Sequence, residues 1–277
     1  MKEIFGFDAF SPAEIAERVE NLGVVKARLP IISMIMLGIL AGAFIGLGAM
    51  YSVVITSDHL LTFGISRLLG GLVFSLGLIL VVVAGAELFT GNILLVMAWT
   101  DGKISFNEVL KNWVVVCISN FIGAFGLALI VYLSRHPLLN DSSVAEQYIK
   151  LASTKCNISF QQAFFSGLMC NVLVCLAVWM AQAGRSVMDK IIVILFPVSA
   201  FVAAGFEHSI ANMYIIPMGL FLKYFESFPG TELISWSGFF SNLCPVILGN
   251  LIGGSLFVAL IYHIIYGRPK TKLNEIK

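Results

Sequence analysis

Two eight-residue stretches, GAELFTGN at 85–92 and GFEHSIAN at 205–212, put carboxylates, amides, hydroxyls and one histidine inside long apolar runs. An ionised side chain at the centre of a bilayer costs about 2.5–3.5 kcal/mol even on the lenient insertion scale. Glu87, Glu207 and His208 therefore have to face inward and have partners. In the first stretch Gly85, Thr90 and Gly91 supply backbone freedom and a hydroxyl, and Asn92 is placed to cap a second half-helix. In the second, Gly205 precedes Glu207, His208, Ser209 and Asn212, and Pro217 weakens the helix shortly afterwards. Backbone that leaves the helix at membrane depth exposes N–H and C=O groups, which is tolerated only where protein or a water-lined cavity satisfies them. The two breaks are thus expected to wall a solute pathway. Half-helix N-termini aimed at that cavity suit an anion. His208, the side chain type most able to change charge near neutral pH, is expected to touch the solute. Each glutamate is expected to accept backbone N–H bonds at its own break. Phe74, Leu78, Phe89 and Phe201 are either apolar constrictions that exclude hydrated ions by dewetting or ordinary packing, and spacing alone favours packing.

The elements that must position these residues are membrane spans. The 277 residues are 58% hydrophobic and 12% charged, against about half and a quarter in a soluble domain. A span needs about 20 mostly apolar residues, and six stretches qualify, at roughly 31–55, 67–99, 112–133, 160–182, 191–222 and 240–266. The second and fifth are longer than a span requires, and they hold the two motifs. No removable signal peptide is expected, because MKEIFGFDAF carries acids and aromatics in place of a basic segment and an apolar core. Cys117, Cys170, Cys175 and Cys244 read as buried packing residues and Cys156 stands alone on the outer side. With no zinc-type spacing, neither a structural metal nor a cofactor is expected, nor a nucleic-acid partner.

The spans repeat. Asn112, Asn120, Ile122 and Gly123 recur as Asn242, Asn250, Ile252 and Gly253, each 130 residues on, and Gly85 and Glu87 recur as Gly205 and Glu207, 120 residues on. Three spans followed by three must be inverted, since an odd number crosses the bilayer, and paired broken helices in such repeats meet near the midplane. Six spans also put both termini on one side. Twelve Lys/Arg then fall with the termini (2, 18, 26, 28, 103, 111, 185, 190, 268, 270, 272, 277) and five opposite (67, 135, 150, 155, 223). By the positive-inside rule the termini are cytoplasmic, in a multi-pass protein of the cell membrane. Residues 11–22 read as an amphipathic surface helix, with Ser11 as N-cap, Pro12 at N1, Glu14 completing a capping box, and Ile15, Val19 and Leu22 on one stripe away from Glu17, Arg18 and Glu20. The expected organisation is an N-terminal helical segment over 1–30, a six-span channel domain over 31–266 and a basic cytoplasmic tail over 267–277.

AGAELFTGN at 84–92, GLMCNVLVCLAVWM at 167–180 and AGFEHSIANMYIIPMG at 204–219 resemble the formate/nitrite transporter family, and with the span spacing the resemblance covers nearly the whole chain. It implies an all-α homopentamer in the bilayer, each protomer an aquaporin-like fold of six transmembrane helices with broken second and fifth spans and its own pore for small monovalent anions. By position it implies that Thr90 is the loop threonine of the broken second helix, His208 the pore histidine and Asn171 the fourth-span asparagine. Lys155 matches the vestibule lysine that draws anions in. Leu78, Phe89 and Phe201 match constriction positions, with Phe74 a further lining candidate. Glu207 and Asn212 belong to the same polar pathway. FEHSIANMYIIPMG, AVWM and GRSVMDK resemble the formate branch, whereas FTGN resembles nitrite-channel members. Formate is the expected substrate, with nitrite and hydrosulfide open.

A water or glycerol channel would carry paired Asn-Pro-Ala boxes, and none occurs. An intramembrane hydrolase would need a nucleophile and base or HExxH-type ligands; His59 and His263 lie near span ends and His136 in a loop, so no enzyme activity is expected. The expected mechanism is that a weak-acid anion enters an electropositive vestibule and takes a proton as the dielectric falls. The neutral acid then crosses a greasy constriction that rejects the anion.

Overall fold

The computed structural model describes residues 9–267; most of the basic tail expected over 267–277 lies outside these residues. The chain begins with α1 (Pro12–Ala27), which runs five residues past the expected end. Its capping box forms as expected, with Ser11 N–H donating to Glu14 at 2.7 Å. Ile15 and Val19 are buried, but Leu22 is exposed and Glu20 is buried, tied to Lys103 at 2.6 Å. The face expected to meet water is therefore partly turned inward. The extension carries Gly23 onto Ala98 and Lys26 into the polar interior.

Two three-span units follow. The first comprises α2 (Ile31–Thr56), α3 (Phe63–Leu80, prolonged by a π-turn to Gly85), a short 3-10 turn leading into α4 (Leu95–Thr100), and α5 (Phe106–Leu133). The connecting α6 (Ser143–Cys156) lies across one end. The second unit comprises α7 (Phe160–Ala181), α8 (Val187–Ala204), α9 (Ser209–Phe225) and α10 (Trp236–Gly254), the last continued through a π-turn into α11 (Ile261–Tyr266). Among the described residues, six helical segments are long and apolar enough to cross a membrane. The protein is a multi-pass membrane protein built as an inverted three-plus-three repeat. The third span starts earlier than its apolar run because Ser105 and Glu108 form a second capping box, which hydropathy alone does not register.

Within each unit the first and third spans pack backbone to backbone. A Cβ on Gly42 would run into the carbonyl oxygen of Asn120, and one on Gly123 into that of Ile39; Gly249 and Gly253 meet the carbonyls of Phe164 and Leu168 in the same way. Small residues are what permit such approach between membrane helices, where apolar burial gives no net drive. Gly123→Ala is accordingly expected to destabilise the purified protein by about 2 kcal/mol, the usual scale of overpacking. Gly126→Ala, with nothing within 4 Å of the new methyl, is expected to be tolerated, and thermal unfolding in detergent separates the two.

α9 is unlike the other long helices. Every residue from Ser209 to Leu222 is buried, so it runs through the centre of the protomer, and Pro217 sits inside it without ending it. Pro217 has no N–H to give the carbonyl of Met213, yet the helix continues to Phe225, as α8 and α10 continue past Pro197 and Pro245. Outward-facing apolar side chains such as Ile32, Ile130 and Phe196 give the flanks a hydrocarbon surface. Cys170 and Cys175 are buried as expected, whereas Cys244 is exposed on this flank and Cys117 is half-buried.

Candidate functional site

Both breaks are made the same way. Gly85 and Gly205 take left-handed backbone (φ 82° and 77°). In each, the following N–H reaches back five residues, Ala86 to Val81 at 2.9 Å and Phe206 to Phe201 at 3.0 Å. This is the helix-terminating arrangement that glycine accommodates without a Cβ penalty. The chain then runs extended toward the protein centre before helix resumes at Gly91 and Ser209.

The freed backbone is held by a duplicated set of amides. Asn120 Nδ2 donates to the carbonyls of Gly38 (2.7 Å) and Glu87 (2.9 Å), while its Oδ1 accepts from Phe89 N–H (2.9 Å). Its repeat mate Asn250 donates to Gly167 (2.7 Å) and Glu207 (3.1 Å) and accepts from Ser209 N–H (3.1 Å). The glutamates, expected to accept backbone N–H bonds, instead take side-chain partners. Glu87 Oε1 pairs with Lys26 at 2.7 Å and its Oε2 accepts from Asn92 at 2.7 Å. Glu207 Oε1 pairs with Lys155 at 2.8 Å and its Oε2 accepts from Asn212 at 2.6 Å and Asn242 at 3.2 Å. Asn112 and Asn242 then tie the lysines' backbone carbonyls, at 3.1 and 3.0 Å. Each buried carboxylate is thereby charge-balanced and hydrogen-bonded, the condition for holding an ion pair out of water. Asn92, expected as a half-helix cap, is instead consumed by this frame: no side-chain cap forms at the 3-10 turn.

Between the two frames the breaks touch. Thr90 Oγ1 lies 3.0 Å from His208 Nε2. The backbone N–H of Ala211 points at His208 Nδ1 at 3.1 Å; because an N–H can only donate, Nδ1 accepts and the neutral ring carries its proton on Nε2, which donates to Thr90. His208 is thus the N-cap of α9 as well as the bridge. The α9 N-terminal donors expected to face an anion are largely occupied by protein, since Ser209 N–H goes to Asn250 and Ala211 N–H to His208. Asn171 sits behind the bridge, donating to the carbonyls of Thr90 (3.3 Å) and Asn250 (2.8 Å), and so holds both breaks from one side.

On one side of the bridge opens a vestibule of ≈ 550 Å³ whose wall includes Lys155, Glu207, Asn212, Phe74, Phe201 and His208. The Phe201 ring stacks on His208 (centroids 5.8 Å, 19° between planes) and meets Phe74 edge-on at 5.7 Å, so an aromatic pair flanks the buried histidine at the inner end of the vestibule wall. Leu78 and Phe89 are also buried, but neither lines this vestibule. A pocket of ≈ 40 Å³ lies against α1, bordered by Val19, Leu22, Lys26, Gly91 and Leu95.

Sequence reasoning located both breaks and the bridging pair, and missed Lys26 as the counterpart of Lys155. The signal was present: Lys155 minus Lys26 and Gly167 minus Gly38 both give 129, so the repeat extends upstream of the segments in which it was found. Of the six asparagines in the frames, Asn112, Asn120, Asn242 and Asn250 were legible as repeat markers, but the hold of Asn120 and Asn250 on the broken backbone was not.

Residues 13–264 match the family model described as formate/nitrite transporter. The chain is 39% identical over 282 residues to the formate channel FocA of Escherichia coli (strain K12), covering 97% of this chain and 98% of that protein. A solved structure described as a pentameric formate channel with formate bound superposes with a TM-score of 0.80 at 41% identity, covering 86% of this chain and 98% of that one. The aquaglyceroporin from Plasmodium falciparum superposes with a TM-score of 0.54 at 14% identity, covering 85% of this chain and all (100%) of that one, which shows a shared aquaporin-like fold alone.

Proposed function

The chain belongs to the formate/nitrite transporter family, and from that premise we propose that it is a channel for small weak-acid monoanions, formate first among them, working as a homopentamer with one pore in each protomer. The observation that carries this reading is the contact between Thr90 and His208, which joins two broken helices at the foot of a lysine-bearing vestibule and beside an aromatic pair. Nitrite and hydrosulfide are the competing solutes, and FTGN at 89–92 is the feature that favours nitrite.

The anion enters the vestibule toward Lys155 and Asn212. Asn212 Oδ1 has no partner among the described residues, so beside the ion pair it can accept from water or from the O–H of the protonated acid, while the anion itself is drawn by Lys155. Passing Phe74 and Phe201 strips water from the solute, and a bare anion in an apolar constriction is far costlier than the neutral acid. Protonation at this threshold turns formate into formic acid, the proton being delivered as hydronium from the bulk through vestibule water, so that a water is left behind and one proton travels with each acid molecule. At the bridge, His208 Nε2–H and the Thr90 hydroxyl are the groups able to hydrogen-bond the solute, replacing their bond to each other. His208 serves more simply as a neutral donor than as a proton store, because an imidazolium would set Nδ1–H against the Ala211 N–H.

The uneven lysine and arginine distribution supports an orientation with both termini in the cytoplasm of a cell-membrane protein and the large vestibule facing outward. Residues 31–266 then form the channel body. α1 closes its inner side and supplies Lys26 to the first frame, so that helix is part of the pore. Proteoliposomes with an internal pH-sensitive dye test the function: imposed formate gradients should collapse many times faster than in empty vesicles, with chloride excluded. Formate entry no faster than in empty vesicles would refute it.

A further inference from the structure

Three cations line the vestibule; Lys150 is an exposed ammonium on α6, and the other two stand in different circumstances. Lys155 is committed to Glu207 at 2.8 Å. Arg67 on α3 forms no ion pair among the described residues. Its Nε instead donates to the carbonyl of Ala203 at 2.8 Å, at the end of α8 where helix carbonyls concentrate negative partial charge. One Nη lies against the break itself, 2.5 Å from where a Cβ on Gly205 would stand. The guanidinium is thus fixed by its Nε edge, its Cζ lies 5.9 Å from the Phe63 ring centroid, and Arg67 is part of the vestibule wall. Phe63, Arg67, Gly70 and Phe74 follow at four-, three- and four-residue steps on one face of α3 and all line the vestibule. At 1.5 Å per residue, Arg67 stands about 10 Å from the gate residue Phe74 along the helix.

We infer that Arg67 is the carboxylate-selecting residue of the vestibule, receiving the two oxygens of a small planar anion before it reaches the Phe74–Phe201 gate. The inference rests on the formate-channel reading above and adds a residue to it. A guanidinium presents parallel N–H groups that match two coplanar oxygens, which an ammonium or a single-atom anion cannot reproduce. Because its charge is not neutralised by a carboxylate, Arg67 has attraction to offer that the paired Lys155 has already used on Glu207. The site is open to solvent, so the anion binds briefly and moves on, as conduction requires.

The test is formate influx against concentration in proteoliposomes carrying wild type, Arg67→Lys or Arg67→Gln. Both variants should raise the half-saturating formate concentration about fivefold, the scale of one solvent-reachable charged contact, with the limiting flux within about twofold of wild type. A lysine variant with wild-type half-saturation would show that charge alone suffices and overturn the selecting role. A fall in limiting flux at unchanged half-saturation would reduce Arg67 to a cap for α8. In wild type, which needs no variant to fold, equimolar nitrite should compete with formate and chloride should not; equal competition by both would also overturn the inference. If wild type shows no formate influx at all, the failure lies in the channel reading and is visible before any variant is made.

Discussion

Lys155→Met is expected to destabilise the protein by about 3 kcal/mol, and the double variant Lys155→Met with Glu207→Gln to recover most of that loss. The single change leaves a carboxylate that is 8% exposed without its cation, and removing one partner of a buried pair costs far more than the net worth of the pair, because the remaining charge stays desolvated. The double variant removes the charge, while the amide oxygen that Glu207→Gln introduces can still accept from Asn212. Lys26→Met should cost roughly half as much, since Lys26 is 29% exposed and water reaches Glu87 more readily once it is gone. Denaturant unfolding in detergent, followed by tryptophan fluorescence, measures all four proteins. A double variant as unstable as Lys155→Met alone would mean that the asparagines, and not charge balance, govern the frame.

His208→Asn is expected to cut formate flux at neutral pH by about tenfold or more, the scale of losing a hydrogen bond to a charged or desolvating solute. Asparagine is a good N-cap, so the variant keeps an acceptor for the Ala211 N–H that His208 Nδ1 now takes while withdrawing the ring that reaches Thr90. That separates the pore role of the side chain from its structural one. Because protonation would set Nδ1–H against the Ala211 N–H, the ring stays a neutral donor, and flux at neutral pH reads the loss of that donor directly. A variant that kept the wild-type rate would remove His208 from the pathway.

The breaks were legible because a carboxylate in an apolar run demands an explanation within the chain, and Gly-x-Glu appeared twice. The inverted repeat followed from four positions at one offset. What sequence could not supply was the identity of the carboxylates' partners: Lys26 is 61 residues from Glu87 and Lys155 is 52 from Glu207. Only the folded arrangement brings α1 and α6 to equivalent places on the two frames. Asn92 read as a cap from its local position, but a buried carboxylate five residues away competes for its amide and wins. Glu20 read as solvent-facing because Lys103, its partner, comes from the loop before α5.

The most direct measurement is a double-mutant cycle on formate flux with Thr90→Val, His208→Asn and the pair combined, reconstituted side by side. If the two broken helices share one solute contact across the 3.0 Å bridge, the double variant conducts about as poorly as the worse single variant. Losses that simply multiply, or a Thr90→Val protein indistinguishable from wild type, would place the solute somewhere other than between these two side chains.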